Sequence, residues 1–167
     1  MKLGLVVGDT KPRSRTLKCA IDVCKLIDLS APHVIVDIVD IGEELFSRNS
    51  PVVKSVIMEI QDCNLVMFAS PTINSSYSGI LKLLLDQFPP RSLEGVVAIP
   101  VMVGGDASHG IDPDFLLKPI LVEMGATCPA RGLHLVESTN LRSSLSGWLN
   151  ASRVLLSSVP THERVAS

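Results

Sequence analysis

Five apolar runs alternate with five amphipathic stretches along this chain, and that alternation constrains the fold more than any other feature. The strand candidates are 2–7, 33–39, 64–69, 95–103 and 132–136, and three of them are nearly continuous in apolar residues. Such runs suit parallel strands covered on both faces, because a half-solvated strand would alternate apolar with polar positions. The helix candidates are 15–29, 51–62, 78–88, 113–125 and 141–158. In the first, Leu17, Ala20, Ile21, Cys24 and Ile27 form one apolar stripe, with Lys18, Asp22, Lys25 and Asp28 off it. Asp112-Pro113 reads as an N-cap followed by proline at the first helical position. Five βα units predict an α/β fold: a doubly wound, five-stranded parallel sheet in the order 2-1-3-4-5. Ligands of such a sheet bind at the carboxyl ends of strands 1, 3 and 4.

A chain of 167 residues suffices for one domain, expected over 1–159, with 160–167 as a short disordered tail. The formal charge of −2, with lysines and arginines scattered, argues against nucleic acid or an acidic membrane surface as partner. One lysine before a short apolar run is too little for a signal peptide, and no apolar run approaches membrane-spanning length. The cysteines at 19, 24, 63 and 128 make no C-x-x-C pair, so buried reduced thiols are expected rather than a metal site or disulfides. These features together predict a cytoplasmic protein. Residues 80–88 and 115–124 carry more apolar surface than one sheet face can hide, which predicts a homodimer or homotetramer formed through these helices.

Three loops should meet at the carboxyl end of the sheet. The first, Gly8-Asp9-Thr10-Lys11-Pro12-Arg13-Ser14-Arg15-Thr16, joins a strand to a helix start, where unbonded N–H groups and the helix dipole favour an anion. Ser14 and Thr16 add hydroxyls, and Lys11, Arg13 and Arg15 add positive charge. The same pattern also occurs at ordinary helix starts. The second loop, Ser70-Pro71-Thr72-Ile73-Asn74-Ser75-Ser76-Tyr77-Ser78-Gly79, is rich in hydroxyls and small side chains. The third contains Gly104-Gly105, which either lets a flat ligand approach the backbone or simply permits a turn. A phosphate loop beside two backbone-rich loops suits a ligand with a phosphate tail and a planar head. The Walker pattern, G-x-G-x-x-G and G-x-S-x-G are all absent.

These segments resemble the flavodoxin-like NAD(P)H-dependent FMN reductase family, and most nearly the FMN reductases that supply alkanesulfonate monooxygenases. The family loop Gly-Ser-Pro-Arg-x-x-Ser-Arg-Ser/Thr is matched in spacing by Gly8–Thr16. The family segment Thr-Pro-x-Tyr-x-x-Ser-Tyr-Ser-Gly-x-Leu-Lys is matched by Ser70–Lys82. Gly104-Gly105, His109, Asp114-Phe115 and Leu117-Lys118-Pro119 keep the family spacing, and the likeness runs over roughly residues 1–135. Among the departures, Asp9 stands for the family Ser, Lys11 for Arg and Ile73 for Tyr. Asp9 puts a carboxylate where a hydroxyl donor is expected, unless it turns outward as an ordinary turn residue.

The resemblance implies that Lys11, Ser14, Arg15 and Thr16 hold the FMN phosphate. Pro71, Thr72, Ile73 and Asn74 would border the isoalloxazine, with Gly104 and Gly105 at its pyrimidine edge. It further implies hydride transfer from NAD(P)H to FMN for a partner monooxygenase, with no catalytic side chain. Two alternatives stay open: an FMN-retaining quinone or azo reductase, and a non-enzymatic flavodoxin-like binding protein that has lost flavin. His109 reads as a proton donor or a capping loop residue, Tyr77 as a flavin neighbour or a packing residue, and Trp148 as core. His33 and His134 receive no role.

Overall fold

The computed structural model describes residues 1–26, 31–47, 49–104, 112–136, 141–157 and 159. Five parallel strands, β1 (Leu3–Val7), β2 (Val34–Asp37), β3 (Leu65–Pro71), β4 (Val97–Val103) and β5 (Leu133–Leu135), form one sheet in the expected order β2-β1-β3-β4-β5. The helices are α1 (Arg15–Leu26), α2 (Pro51–Gln61), α3 (Gly79–Leu85), α4 (Lys118–Glu123) and α5 (Leu141–Ser157).

Alternation within each strand feeds two cores. Leu3, Leu5 and Val7 of β1, with Leu65, Met67 and Ala69 of β3, face Ala20, Val23 and Cys24 of α1 and Leu145 of α5. Val6, Val66 and Phe68 point the other way, onto Val53 and Ile57 of α2, Leu81, Leu84 and Leu85 of α3, and Leu117 and Leu121. Both faces of the central strands are therefore dry, which is why their sequence reads as unbroken apolar runs. Each fully buried Val, Leu, Ile, Phe or Met among them contributes about 1.5–3 kcal/mol by leaving water.

Several boundaries differ from the sequence expectation, each for a local reason. β2 stops at Asp37 because its partner β1 ends at Val7, opposite it, and Ile38–Ile41 then winds into a 3-10 turn. Pro100 lies inside the otherwise central β4. On the β5 side, the backbone pairs with Thr127 at Val97 and with β5 only from Val101, so Pro100 falls in a gap where no N–H is needed. The fourth helix opens as a π-helical turn over Pro113–Leu117, in which the Lys118 N–H bonds the Pro113 carbonyl five residues back. Pro119, in the first turn of α4, has no N–H and crowds the preceding turn, which accounts for the wider winding. The ends of the first and last helix candidates, at 27–29 and at 158, lie outside the described residues, as does the tail at 160–167.

Gly8 ends β1 against the start of α3. Its N–H donates to Ala69 O at 2.8 Å, and its carbonyl accepts the Ser78 hydroxyl. A Cβ at this position would lie 2.4 Å from Leu81 Cβ and 3.1 Å from Leu81 Cα, and the latter cannot step aside. Gly8→Ala is therefore expected to destabilise the fold by about 2 kcal/mol. Urea unfolding checks this, and an unchanged midpoint would contradict the packing described.

Candidate functional site

The carboxyl ends of β1 and β3 carry loops that are hydrogen-bonded to one another and to the end of β4, whose own loop beyond Gly104 lies outside the described residues. Ser78 does most of the joining. Its hydroxyl donates to Gly8 O and accepts the Leu81 N–H at 3.3 Å, capping α3, while its own N–H donates to Ser70 Oγ at 2.8 Å. The Thr72 N–H donates to Val103 O at 2.7 Å, linking the second loop to the end of β4. Gly104 donates its N–H to Leu135 O at 2.8 Å, and its carbonyl lies 2.8 Å from His134 Nε2. Gly104 has φ +102°, a conformation that L side chains rarely adopt. Gly105 and His109 lie outside the described residues.

In the first loop, Ser14 is the N-cap of α1: its Oγ accepts the Leu17 N–H at 3.2 Å and its carbonyl accepts the Lys18 N–H. Ser14 and Thr16 are buried, whereas Lys11, Arg13 and Arg15 are exposed, so hydroxyls line the inside of the loop and cations its rim. Arg13 has φ +52°, and its N–H donates to Asp37 Oδ2 at 2.9 Å, which holds the chain in this left-handed turn.

Asp9 does not turn outward. One oxygen accepts the Lys11 N–H at 3.1 Å and the other accepts the Thr16 hydroxyl at 2.8 Å. Two carboxylates, Asp9 and Asp37, therefore bond the loop from within. Burial holds the Asp37 carboxyl above the usual carboxylate range, opposed by the Arg13 N–H and reinforced by the charges of Asp40 and Asp9. Asp37 Oδ1 is buried with no hydrogen-bond partner among the described residues.

In the second loop, Ile73 and Ser76 exchange N–H···O bonds of 2.8 and 3.0 Å around Asn74 and Ser75, both left-handed at φ +49° and +58°. This two-residue turn is tight and holds Ile73 at the surface. Pro71 and Thr72 are half-buried, Asn74 is exposed, and Thr72 Oγ1 is buried with no hydrogen-bond partner among the described residues. Tyr77 packs against the core beside α3, and burial raises its hydroxyl pKa, which favours the packing alternative. Trp148 is only partly buried: it packs on the α1 side of the sheet and donates Nε1–H to Arg131 O at 2.7 Å.

Sequence reasoning gives no role to Asp37 or His134 and places Ser78 only within the hydroxyl-rich second loop. Asp37 and His134 were found only as strand residues, although a polar group at the end of an apolar parallel strand points to the ligand edge of the sheet. His33 takes a structural place, with Nδ1 accepting the Leu3 N–H at 3.2 Å. All four cysteines are free, and burial pushes the Cys24 and Cys128 thiols up to about 11. Neither is a thiolate nucleophile near neutral pH. Among the described residues, no group of three or more His, Cys, Asp or Glu side chains could hold a metal, and no helix is long and apolar enough to cross a membrane.

The family model described as NADPH-dependent FMN reductase matches residues 1–140. An FMN reductase (NADPH) of Escherichia coli (strain K12) is 37% identical over 83 residues, which are 49% of this chain and 44% of that protein. An NADH-dependent FMN reductase, SfnF, of Pseudomonas putida is 30% identical over 78 residues, 47% of this chain and 42% of that protein. The matched region thus spans less than half the length of these curated relatives. Among solved structures, an NADH:FMN oxidoreductase (EMOB) in its apo form superposes with a TM-score of 0.83 at 22% identity, covering 96% of this chain and 91% of that one. At that identity the superposition establishes the shared fold.

The raised Asp37 pKa gives a signed prediction. Its contribution to stability is fully present below the ordinary carboxylate range and is lost as pH rises through the raised folded-state value. Asp37→Asn, which cannot ionise, is expected to gain stability relative to the parent as pH is raised from about 4 to about 7. Denaturant midpoints of the two proteins across that range check it, and a difference independent of pH would contradict it.

Proposed function

Because the chain belongs to the NADPH-dependent FMN reductase family, we propose that it transfers hydride from NAD(P)H to FMN. The observation that carries this reading is the tying together of the carboxyl ends of β1, β3 and β4 by the bonds of Ser78 to Gly8 and Ser70 and of Thr72 to Val103. The residues fit a flavin there. Thr72 Oγ1 is buried with its hydrogen-bonding capacity unused among the described residues, Gly104 brings bare backbone to the edge, and a Ser14-capped helix start would receive the phosphate end.

In this reading, Ser14, Arg15 and Thr16 at the start of α1, with Lys11, hold the phosphate. Pro71, Thr72, Ile73 and Asn74 would border the ring, and Gly104 would stand at its pyrimidine edge, where the resemblance also puts Gly105. The flavin, when bound, supplies the hydride-accepting centre. The chain positions the two reactants and donates hydrogen bonds toward the negative charge that develops on the ring. In this reading the reaction needs no side-chain nucleophile and no metal ligand.

The functional unit is residues 1–159, in the cytoplasm, and reduced flavin passes to a partner monooxygenase. It is a homodimer or homotetramer, but the helix expected to drive assembly changes in emphasis. In α3, Leu81, Leu84 and Leu85 are buried within the subunit, whereas Phe115 of the π-helical turn and Val122 of α4 are exposed. Phe115→Ser is expected to lower the mass measured by light scattering after size exclusion, and an unchanged oligomer would place the interface elsewhere.

The activity is tested by following NADH and NADPH oxidation with and without added FMN. A saturable rate that requires FMN is expected. No rate above the protein-free control with either nucleotide would overturn the reading.

A further inference from the structure

We infer that Asp9 is a specificity-determining residue that makes the site accept flavins ending in a free ribityl hydroxyl on equal terms with the phosphorylated flavin. This rests on the flavin reading above. The Thr16 hydroxyl has a single proton, and it is donated to Asp9 Oδ2 at 2.8 Å. The Lys11 N–H is likewise donated to Asp9 Oδ1 at 3.1 Å. Both residues belong to the set that would hold the phosphate. A phosphate carries acceptor oxygens and negative charge, so to use the Thr16 hydroxyl it must take that donor from a carboxylate, and even when it pairs with the Lys11 ammonium it lies beside that carboxylate's charge.

A primary hydroxyl meets the opposite situation, because it can donate to Asp9 and leave both existing bonds in place. The surrounding charge reinforces the discrimination. Asp37 adds a second carboxylate at Arg13 N, with one oxygen buried and without a partner among the described residues. Lys11, Arg13 and Arg15 are exposed on the rim, where solvent screens them. The family serine at position 9 would leave this negative charge out.

The test measures dissociation constants for FMN and riboflavin, by quenching of flavin fluorescence, for the parent protein, Asp9→Ser and Asp9→Asn. Asn keeps an acceptor for the Lys11 N–H, so the turn survives in at least one variant. The parent is expected to bind the two flavins within about threefold of each other. Both variants are expected to tighten FMN on the order of tenfold while changing riboflavin by less than about twofold. A parent that prefers FMN by about a hundredfold, with variants that leave FMN binding unchanged or weaker, would overturn the inference and leave the flavin reading standing. Binding of neither flavin by the parent or by either variant would overturn both.

Discussion

The carboxyl end of β1 lies against the first turn of α3 with no room for a side chain, and the geometry of the site depends on that contact. Gly8 sits beneath Leu81, donates to β3 through Ala69 and accepts from Ser78, so one residue fixes two of the three loops relative to each other. Ser78 extends the same link through Ser70 into the end of β3. Thr72 and Gly104 carry it across β4 to β5. The loop positions are thus set by backbone bonds anchored in a dry, five-stranded sheet, which suits a site that works by holding two flat reactants in register.

Charge within the first loop is balanced in an uneven way. Three cations lie on the exposed rim, while two carboxylates bond the inside of the loop, at Lys11 N, Thr16 Oγ1 and Arg13 N. The inner bonds decide the shape of the loop, including the left-handed turn at Arg13. They also decide what an incoming anion would have to displace. The buried Asp37 is screened less by water than the rim cations, while Asp9 is half-buried. Under the proposed flavin reading, this arrangement would move recognition away from the phosphate end and toward the ring, beside Thr72 and Gly104.

Much of the architecture was legible because burial on both faces leaves unbroken apolar runs, and β1, β3 and β4 appeared in the sequence almost at their observed limits. The boundaries that moved did so through tertiary pairing, which a linear pattern does not carry. β2 ends where β1 runs out of partners, and Pro100 is accommodated by a gap on the far side of β4. The strand–loop–helix start around residues 8–16 could be read from its spacing, and Ser14, read there as a hydroxyl donor, caps the helix. The direction of Asp9 could not, since an outward turn residue and an inward acceptor share the same sequence. Asp37 was hidden for a related reason: its importance follows from lying next to Arg13 across the β2–β1 pair, twenty-four residues away in sequence.

The central claim is that the β1, β3 and β4 loops form one flavin-binding edge. Backbone amide shifts of the uniformly nitrogen-15-labelled protein, titrated with riboflavin, test it most directly. Perturbations are expected to cluster at Asp9–Thr16, at Thr72–Ser76 and at Gly104, on one edge of the sheet. Perturbations centred instead on the cleft lined by Leu45, Phe46, Val53 and Leu83, on the α2–α3 side, would contradict the account.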